Sequence, residues 1–137
     1  MKTVLKATLA VVTACSLAAA QDSFAQSQGY PRKSIHLVVP YATGGPTDLV
    51  GRVIGQKLAE NIGQSVVIDN RVGAGGNIGT EFVAKAAPDG YTLLWGALGN
   101  VGINPSLYKN LSYSMIVNFV PVLLVAKQTL VLVTSPS

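Results

Sequence analysis

Short apolar runs recur along the chain, each followed by turn-forming residues. Residues 35–40 form an apolar, partly β-branched run that ends at Pro40, and residues 65–69 and 91–95 form two more. Runs of this length and composition are typical of buried β-strands. Residues 120–125 and 130–134 predict two further strands later in the chain.

Between the first three runs, the apolar positions change to a helical period. The spacing predicts one helix from Thr47 to Gly63, a second over residues 78–87 and a single helical turn over residues 106–111. A Pro-Asp-Gly turn at residues 88–90 ends the second helix. Strands that alternate with helices in short steps indicate an α/β fold with a mostly parallel sheet flanked by helices. The predicted inward-facing residues are Val50, Val53, Ile54, Leu58 and Ile62 in the first helix, and Ile78, Phe82 and either Val83 or Ala86 in the second.

Three glycine-rich segments follow the first three predicted strands. They span residues 41–46, 71–76 and 99–105 and are predicted to be irregular loops. The carboxyl ends of parallel strands meet at one edge of a sheet, where α/β proteins bind ligands. Glycine exposes the backbone N–H groups, and helix N-termini add a positive partial charge. The pattern therefore predicts a site for a small anion.

Candidate catalytic groups are few and scattered. His36 is the only histidine and lies within a strand, where a half-buried structural role is expected. The glycines at 73, 75, 76 and 79 do not have dinucleotide-binding spacing, and no phosphate-binding lysine follows them. The acidic residues lie on separate elements and form no acid/base pair. We therefore expect a protein that is not an enzyme and has no metal or cofactor.

Several polar residues in these loops have a structural alternative. Thr43, Thr47 and Asp48 either cap the first helix or contact the ligand. Asn77 is a candidate cap for the second helix, and Asn104-Pro105 a simple turn. Trp95 is expected in the core.

The first residues have the layout of a secretory signal. Lys2 and Lys6 precede an apolar stretch at residues 7–20, and Ser23-Phe24-Ala25 fits a cleavage site after residue 25. The alternative is a lipoprotein anchored at Cys15, the only cysteine in the chain. The formal net charge of +4 is spread along the sequence, so no nucleic-acid-binding surface is predicted.

Five ordered motifs resemble the Bug receptors, also called the TctC family, which are the extracytoplasmic receptors of tripartite tricarboxylate transporters. The likeness runs from about residue 30 to residue 137. The motifs are Tyr30-Pro31; residues 35–48, with Tyr41-Ala42-Thr43-Gly44-Gly45-Pro46-Thr47-Asp48; Asp69-Asn70-Arg71-Val72-Gly73-Ala74-Gly75-Gly76-Asn77-Ile78-Gly79; residues 87–94; and Ile103-Asn104-Pro105-Ser106-Leu107-Tyr108.

The resemblance implies a periplasmic binding protein of the type II architecture, in which two α/β lobes close on a small carboxylate and deliver it to membrane transporter subunits. Residues 1–25 would then be the signal peptide, 26–29 a short linker, 30–129 an incomplete first lobe and 130–137 the start of the crossover to a second lobe. The complete receptor would be a monomer. The implied ligand contacts are Tyr41, Ala42, Thr43, Gly44 and Gly45 with Asp48 in support, then Gly99, Asn100 and Val101, with Gly76 and Asn77 added.

Two alternatives remain open. Family members are more than twice as long as this chain, so it is either part of a receptor or a truncated, binding-incompetent fragment of one. An exported α/β enzyme whose catalytic residues lie outside these 137 residues is the other alternative. Many relatives carry Thr-His where this chain has Asn100-Val101, so the ligand is not inferred from the resemblance.

Overall fold

A computed structural model describes residues 29–127. The predicted signal segment, the candidate lipid anchor at Cys15, most of the linker, and residues 130–137 with their predicted strand lie outside the described residues. The described part is an α/β unit built on one parallel sheet.

The sheet has three parallel strands in the order β2-β1-β3, with β1 at Ile35–Val39, β2 at Val66–Asn70 and β3 at Thr92–Leu94. Strand β1 lies in the middle, and four of its residues form most of the buried apolar core: Ile35, Leu37, Val38 and Val39. Strands β1 and β3 lie within the predicted runs, and β2 exceeds its run by one residue, Asn70. The runs form strands because β-branched and aliphatic side chains pack well on a pleated surface.

Helix α1, Pro46–Ile62, connects β1 to β2. Its buried residues are Asp48, Gly51 and Gly55. A Cβ atom on Gly51 would lie 3.4 Å from Val39, and one on Gly55 would lie 2.9 Å from Ile68, so the helix rests on the sheet through its glycines. The prediction that Val50 and Val53 face inward is wrong, since they are 42% and 61% exposed.

Helix α2, Asn77–Ala84, follows a short 3₁₀ turn at Ala74–Gly76. It packs through small residues, because Gly79 lies against Pro40 and the carbonyl of Arg71. The predicted inward positions Ile78 and Phe82 are exposed instead, at 54% and 38%. Backbone approach at Gly79 turns the small side of this helix to the sheet.

The chain after β3 differs from the prediction. The expected irregular loop at residues 99–105 is helical: a π-helical turn at Gly99–Ile103 continues into the short helix α3, Asn104–Leu107. The strand expected at residues 120–125 does not form, and Val120, Val122 and Leu123 are more than three-quarters exposed. Within residues 29–127 no neighbouring strand pairs with this run, and Pro121 lacks a backbone donor.

Residues 29–33, which we call the N-terminal segment, contact the turn before β3. The Tyr30 hydroxyl donates to the Gly90 carbonyl at 2.6 Å, and the Tyr30 and Tyr91 rings meet edge to face. The ammonium group of Lys33 lies 4.3 Å from the centroid of the Tyr91 ring and 3.3 Å from the Asp89 carboxylate. These contacts hold the N-terminal segment at the end of the sheet where the strands begin.

Gly63 ends α1 in the left-handed conformation, with φ of 67°, and its N–H donates to the Ala59 carbonyl. A Cβ atom would meet nothing within 4 Å there, so the conformation alone favours glycine. We expect Gly63→Ala to lower the free energy of unfolding by about 1 kcal/mol. Urea denaturation measures the change, and an unaltered midpoint would contradict the assignment.

Candidate functional site

The segments that follow β1, β2 and β3 come together at the carboxyl edge of the sheet. A Cβ atom on Gly99 would lie 3.1 Å from the Tyr41 hydroxyl, and one on Gly76 would lie 3.2 Å from the Asn100 side chain. The predicted gathering of the three glycine-rich segments is therefore present in the described structure.

Residues 42–45 form a tight turn in front of α1. The Gly45 N–H donates to the Ala42 carbonyl at 3.3 Å, and Gly44 has φ of 83°, which fits the third position of a type II turn. The Gly44 N–H donates a hydrogen bond to the Asp48 carboxylate. The N–H groups of Ala42 and Thr43 donate to no acceptor within residues 29–127, and both residues are exposed. This turn therefore offers two open backbone donors.

The buried side chain of Asp48 supports that turn. Its side chain is only 1% exposed and accepts hydrogen bonds at 2.8 Å from Arg52 Nε, Gly44 N and Asn70 Nδ2. The bond from Arg52, followed by those from Gly44 and Asn70, lowers the pKa of Asp48 to about 2. Asn70 also donates to the Tyr41 carbonyl. Asp48 is thus a charged side chain that supports the turn, and both of its carboxylate oxygens accept hydrogen bonds within the protein.

The capping alternatives for the two threonines and Asn77 are wrong. Helix α1 is capped by Gly45 and helix α2 by Gly76, and neither cap uses a side-chain hydrogen bond. The reason is that glycine supplies the turn at both helix starts, which leaves the polar side chains free for other contacts.

Asn100 is completely buried and joins three parts of the edge. Its Oδ1 accepts from the Ala97 N–H at 2.8 Å and from the Tyr41 hydroxyl at 3.2 Å. Its Nδ2 donates to Thr80 Oγ1 at 2.9 Å, and the Thr80 hydroxyl donates to the Gly76 carbonyl at 2.8 Å. The Asn100 side chain therefore lies behind the surface of the edge.

A second buried cluster lies beside the first. Asn77 Oδ1 accepts from Asn104 Nδ2 at 2.6 Å and from the Tyr113 hydroxyl at 2.8 Å, and Asn104 also donates to the Gly75 carbonyl. Burial raises the pKa of Tyr113. Asn104-Pro105 starts α3 and is more than a simple turn.

The expected contact residues separate into an exposed and a buried set. Ala42, Thr43 and Gly44 are exposed, and Val101 is 38% exposed. Asp48, Gly76, Asn77 and Asn100 are buried, and Tyr41, Gly45 and Gly99 are intermediate. The exposed set can reach a ligand directly, whereas the buried side chains hold the backbone that carries it.

Sequence reasoning missed four residues of this support: Arg52, Asn70, Thr80 and Tyr113. Arg52 had a signal, because it stands four positions after Asp48 on one helix, a spacing that favours an ion pair. Thr80 and Tyr113 had none, since their partners are 20 and 36 positions away in the chain.

Other parts of the described structure contribute less to a site. His36 is exposed on β1, so the expected half-buried position is wrong; no described element covers it. Trp95 is half-buried against Gly51, short of a full core position, because α1 covers one part of the ring. A groove of about 400 Å³ between Val101, Pro105, Lys109 and Tyr113 shares only Val101 with the expected contacts.

No group of three His, Cys, Asp or Glu side chains in residues 29–127 is arranged to hold a metal ion. Among the helices of that same part of the chain, none is both long and apolar enough to cross a bilayer.

Comparison with known proteins places these features in a family. Residues 50–137 match the family model described as the tripartite tricarboxylate transporter family receptor. Protein BugT of Bordetella pertussis is 44% identical over 108 residues, which are 78% of this chain and 33% of BugT. The chain thus spans about a third of the length of that relative.

Two solved structures from Rhodopseudomonas palustris have a similar fold. A protein solved with adipate is 42% identical, with a TM-score of 0.62 over 64% of this chain and 29% of its own. MatC, solved with bound malate, is 45% identical, with a TM-score of 0.59 over 61% of this chain and 29% of its own. By its sequence and its periplasmic-binding-protein fold, the chain belongs to the TctC family of tripartite tricarboxylate transporter receptors.

Proposed function

We propose that this protein is a periplasmic, non-enzymatic receptor that captures a small carboxylate for a tripartite tricarboxylate transporter. The observation that carries the proposal is the pair of open backbone donors at Ala42 and Thr43, held in front of α1. Backbone N–H groups at a helix N-terminus attract anions. A carboxylate has the size and charge to accept from both.

The position of this turn in the sheet supports the same function. Strand β1 lies between β2 and β3. The connection that leaves β1 therefore leads to one side of β1, to β2, and the connection that leaves β2 leads to the other side, to β3. Such a topological switch point opens a crevice beyond the carboxyl end of the central strand. Residues 42–45 follow β1 after Pro40 and Tyr41, and in this proposal they line that crevice.

The two solved neighbours support the choice of ligand class. One holds adipate and the other holds malate, and both ligands are dicarboxylates. In our proposal residues 30–129 form the first lobe and residues 130–137 begin the crossover to a second lobe that closes over the ligand. Residues 1–25 are the cleaved signal peptide in this scheme.

The proposal is tested by thermal unfolding of the protein expressed from its complete reading frame. We expect malate, adipate or a dicarboxylate of intermediate length to raise the melting temperature in a concentration-dependent way. The corresponding uncharged diamides serve as matched controls and should have no effect. If no carboxylate shifts the transition, or if one is turned over, the receptor function is wrong.

Proline at position 43 tests the backbone donor itself. Thr43 occupies the second position of the type II turn, where proline is well tolerated, but proline has no N–H. We expect Thr43→Pro to weaken carboxylate binding about tenfold or more, because it removes a charge-assisted hydrogen bond. The control Thr43→Ala keeps the N–H and should bind normally. Equal titration curves for the two variants would locate the carboxylate elsewhere.

A further inference from the structure

We infer that Asn100 is the positioning residue that fixes the ligand-binding turn relative to the other two segments of the carboxyl edge. This inference rests on the proposed carboxylate-binding function and concerns the same site. Asn100 does not touch the ligand in this scheme. It acts through Tyr41, the residue that leads from β1 into the turn at residues 42–45.

The hydrogen bonds of Asn100 cover each of the three segments. Tyr41 belongs to the segment after β1, and Ala97 to the segment after β3. Thr80 links Asn100 to the segment after β2, because Thr80 accepts from Asn100 and its hydroxyl donates to the Gly76 carbonyl. One side chain thus joins parts of the chain separated by 59 and 20 positions.

The chemistry of these bonds requires an amide. The Ala97 N–H and the Tyr41 hydroxyl are donors and need an acceptor, which Oδ1 supplies. The Thr80 hydroxyl already donates to Gly76, so its oxygen needs a donor, which Nδ2 supplies. A carboxylate would lack the donor, and an aliphatic residue of similar shape would lack both functions. Since the site is completely buried, water cannot replace the lost partners.

Asn104 provides a matched comparison within the same edge. It is also buried, at 5% exposure, and like Asn100 it bonds both a backbone group and another side chain: its Nδ2 donates to the Gly75 carbonyl and to Asn77 Oδ1. Its partners are Gly75 and Asn77, however, and neither belongs to the turn after β1. Losing Asn104 therefore removes a comparable number of buried bonds without releasing Tyr41.

The experiment compares Asn100→Leu with Asn104→Leu in the protein expressed from its complete reading frame. Without ligand, we expect Asn100→Leu to increase amide hydrogen exchange of Gly44 and Gly45, the hydrogen-bonded amides of the turn, about tenfold or more. Asn104→Leu should leave that exchange unchanged. Malate or adipate, whichever binds the wild type more tightly, is then titrated. Asn100→Leu should weaken that binding about tenfold, and Asn104→Leu much less.

Single-bond variants keep the inference testable if Asn100→Leu does not fold. Tyr41→Phe and Thr80→Val each remove one arm of the connection, and these two residues exchange no hydrogen bond with each other. We expect each variant to increase amide exchange of Gly44 and Gly45, and the double variant to add little more, because either change interrupts the same path. Additive effects of the two changes would overturn the inference.

Amide exchange tests the positioning role of Asn100, and ligand titration tests the proposed function, so a failure of one is distinguished from a failure of the other. Unchanged exchange of the Gly44 and Gly45 amides in Asn100→Leu, or an equal increase in Asn104→Leu, overturns the positioning role. If neither malate nor adipate binds the wild type while the exchange pattern is as expected, the choice of ligand is wrong and the positioning of the turn by Asn100 is supported.

Discussion

Gly79→Ala is expected to lower the free energy of unfolding by about 2 kcal/mol, although alanine normally stabilises a helix by about 1 kcal/mol relative to glycine. The reason is the close approach of α2 to the sheet. An added Cβ atom would lie 2.8 Å from the Arg71 carbonyl oxygen and 2.9 Å from Pro40 Cβ. The Arg71 contact is backbone and the Pro40 contact is on a rigid ring, so neither can move aside without shifting the helix.

The matched control is Gly51→Ala in α1. Its Cβ atom would lie 3.4 Å from a Val39 methyl group and 3.7 Å from the Trp95 ring, which is ordinary contact. We expect this variant to be neutral or slightly stabilising, by up to about 1 kcal/mol. Urea denaturation of both variants measures the difference. If Gly79→Ala were as stable as Gly51→Ala, the backbone packing described for α2 would be wrong.

Asp48→Asn is expected to lower the melting temperature at pH 7 by roughly 5 °C or more. The three donors that converge on Asp48 need acceptors, and an asparagine turns one of its two acceptor positions into another donor. If the new amide nitrogen replaces Oδ2, the Gly44 N–H and Arg52 Nε both lose this acceptor; if it replaces Oδ1, Asn70 Nδ2 loses one of its two acceptors. Asp89→Asn is the control, because the Asp89 side chain is 43% exposed and should matter less.

The same carboxylate predicts a pH dependence. Because the pKa of Asp48 is lowered to about 2 in the folded protein from an ordinary value of 3.8, its charge stabilises the fold fully above about pH 4. That contribution is lost as the pH falls from about 4 to about 2. Melting temperatures recorded across this range should decline less steeply in Asp48→Asn than in the wild type. Parallel curves would contradict the lowered pKa.

Much of the fold could be predicted because its signals are local. Strand β1 lies in a short apolar run, residues 35–40, that is closed by proline. Gly63 ends α1 in the left-handed conformation, as a terminal glycine commonly does. The strand expected at residues 120–125 shows where local signals fail. An apolar β-branched run becomes a strand only beside a partner, and the described residues offer it none.

The packed faces of the helices could not be predicted from apolar spacing. Val53 and Phe82 follow the helical period, yet both are exposed, while Gly55 and Gly79 lie against the sheet. A hydrophobic period marks the apolar side of a helix but does not reveal how closely the backbone can approach a neighbour. Close approach is decided by glycine, which carries no hydrophobic signal.

The candidate site was predictable in position but not in its internal division of roles. Glycine-rich segments after parallel strands placed the site at the carboxyl edge. That Thr43 offers a backbone donor while Asn100 is buried behind it depends on contacts between residues far apart in the chain.

The anchored N-terminal segment has a practical consequence for sensors. Tyr30 and Lys33 hold this segment beside Gly90 and Asp89, before the strands begin, whereas the proposed binding turn follows the end of β1. A dye or surface tether attached next to Gly29 would therefore be separated from a ligand at the proposed turn by the length of the sheet. Immobilisation at this position should leave the proposed binding turn open to the solution.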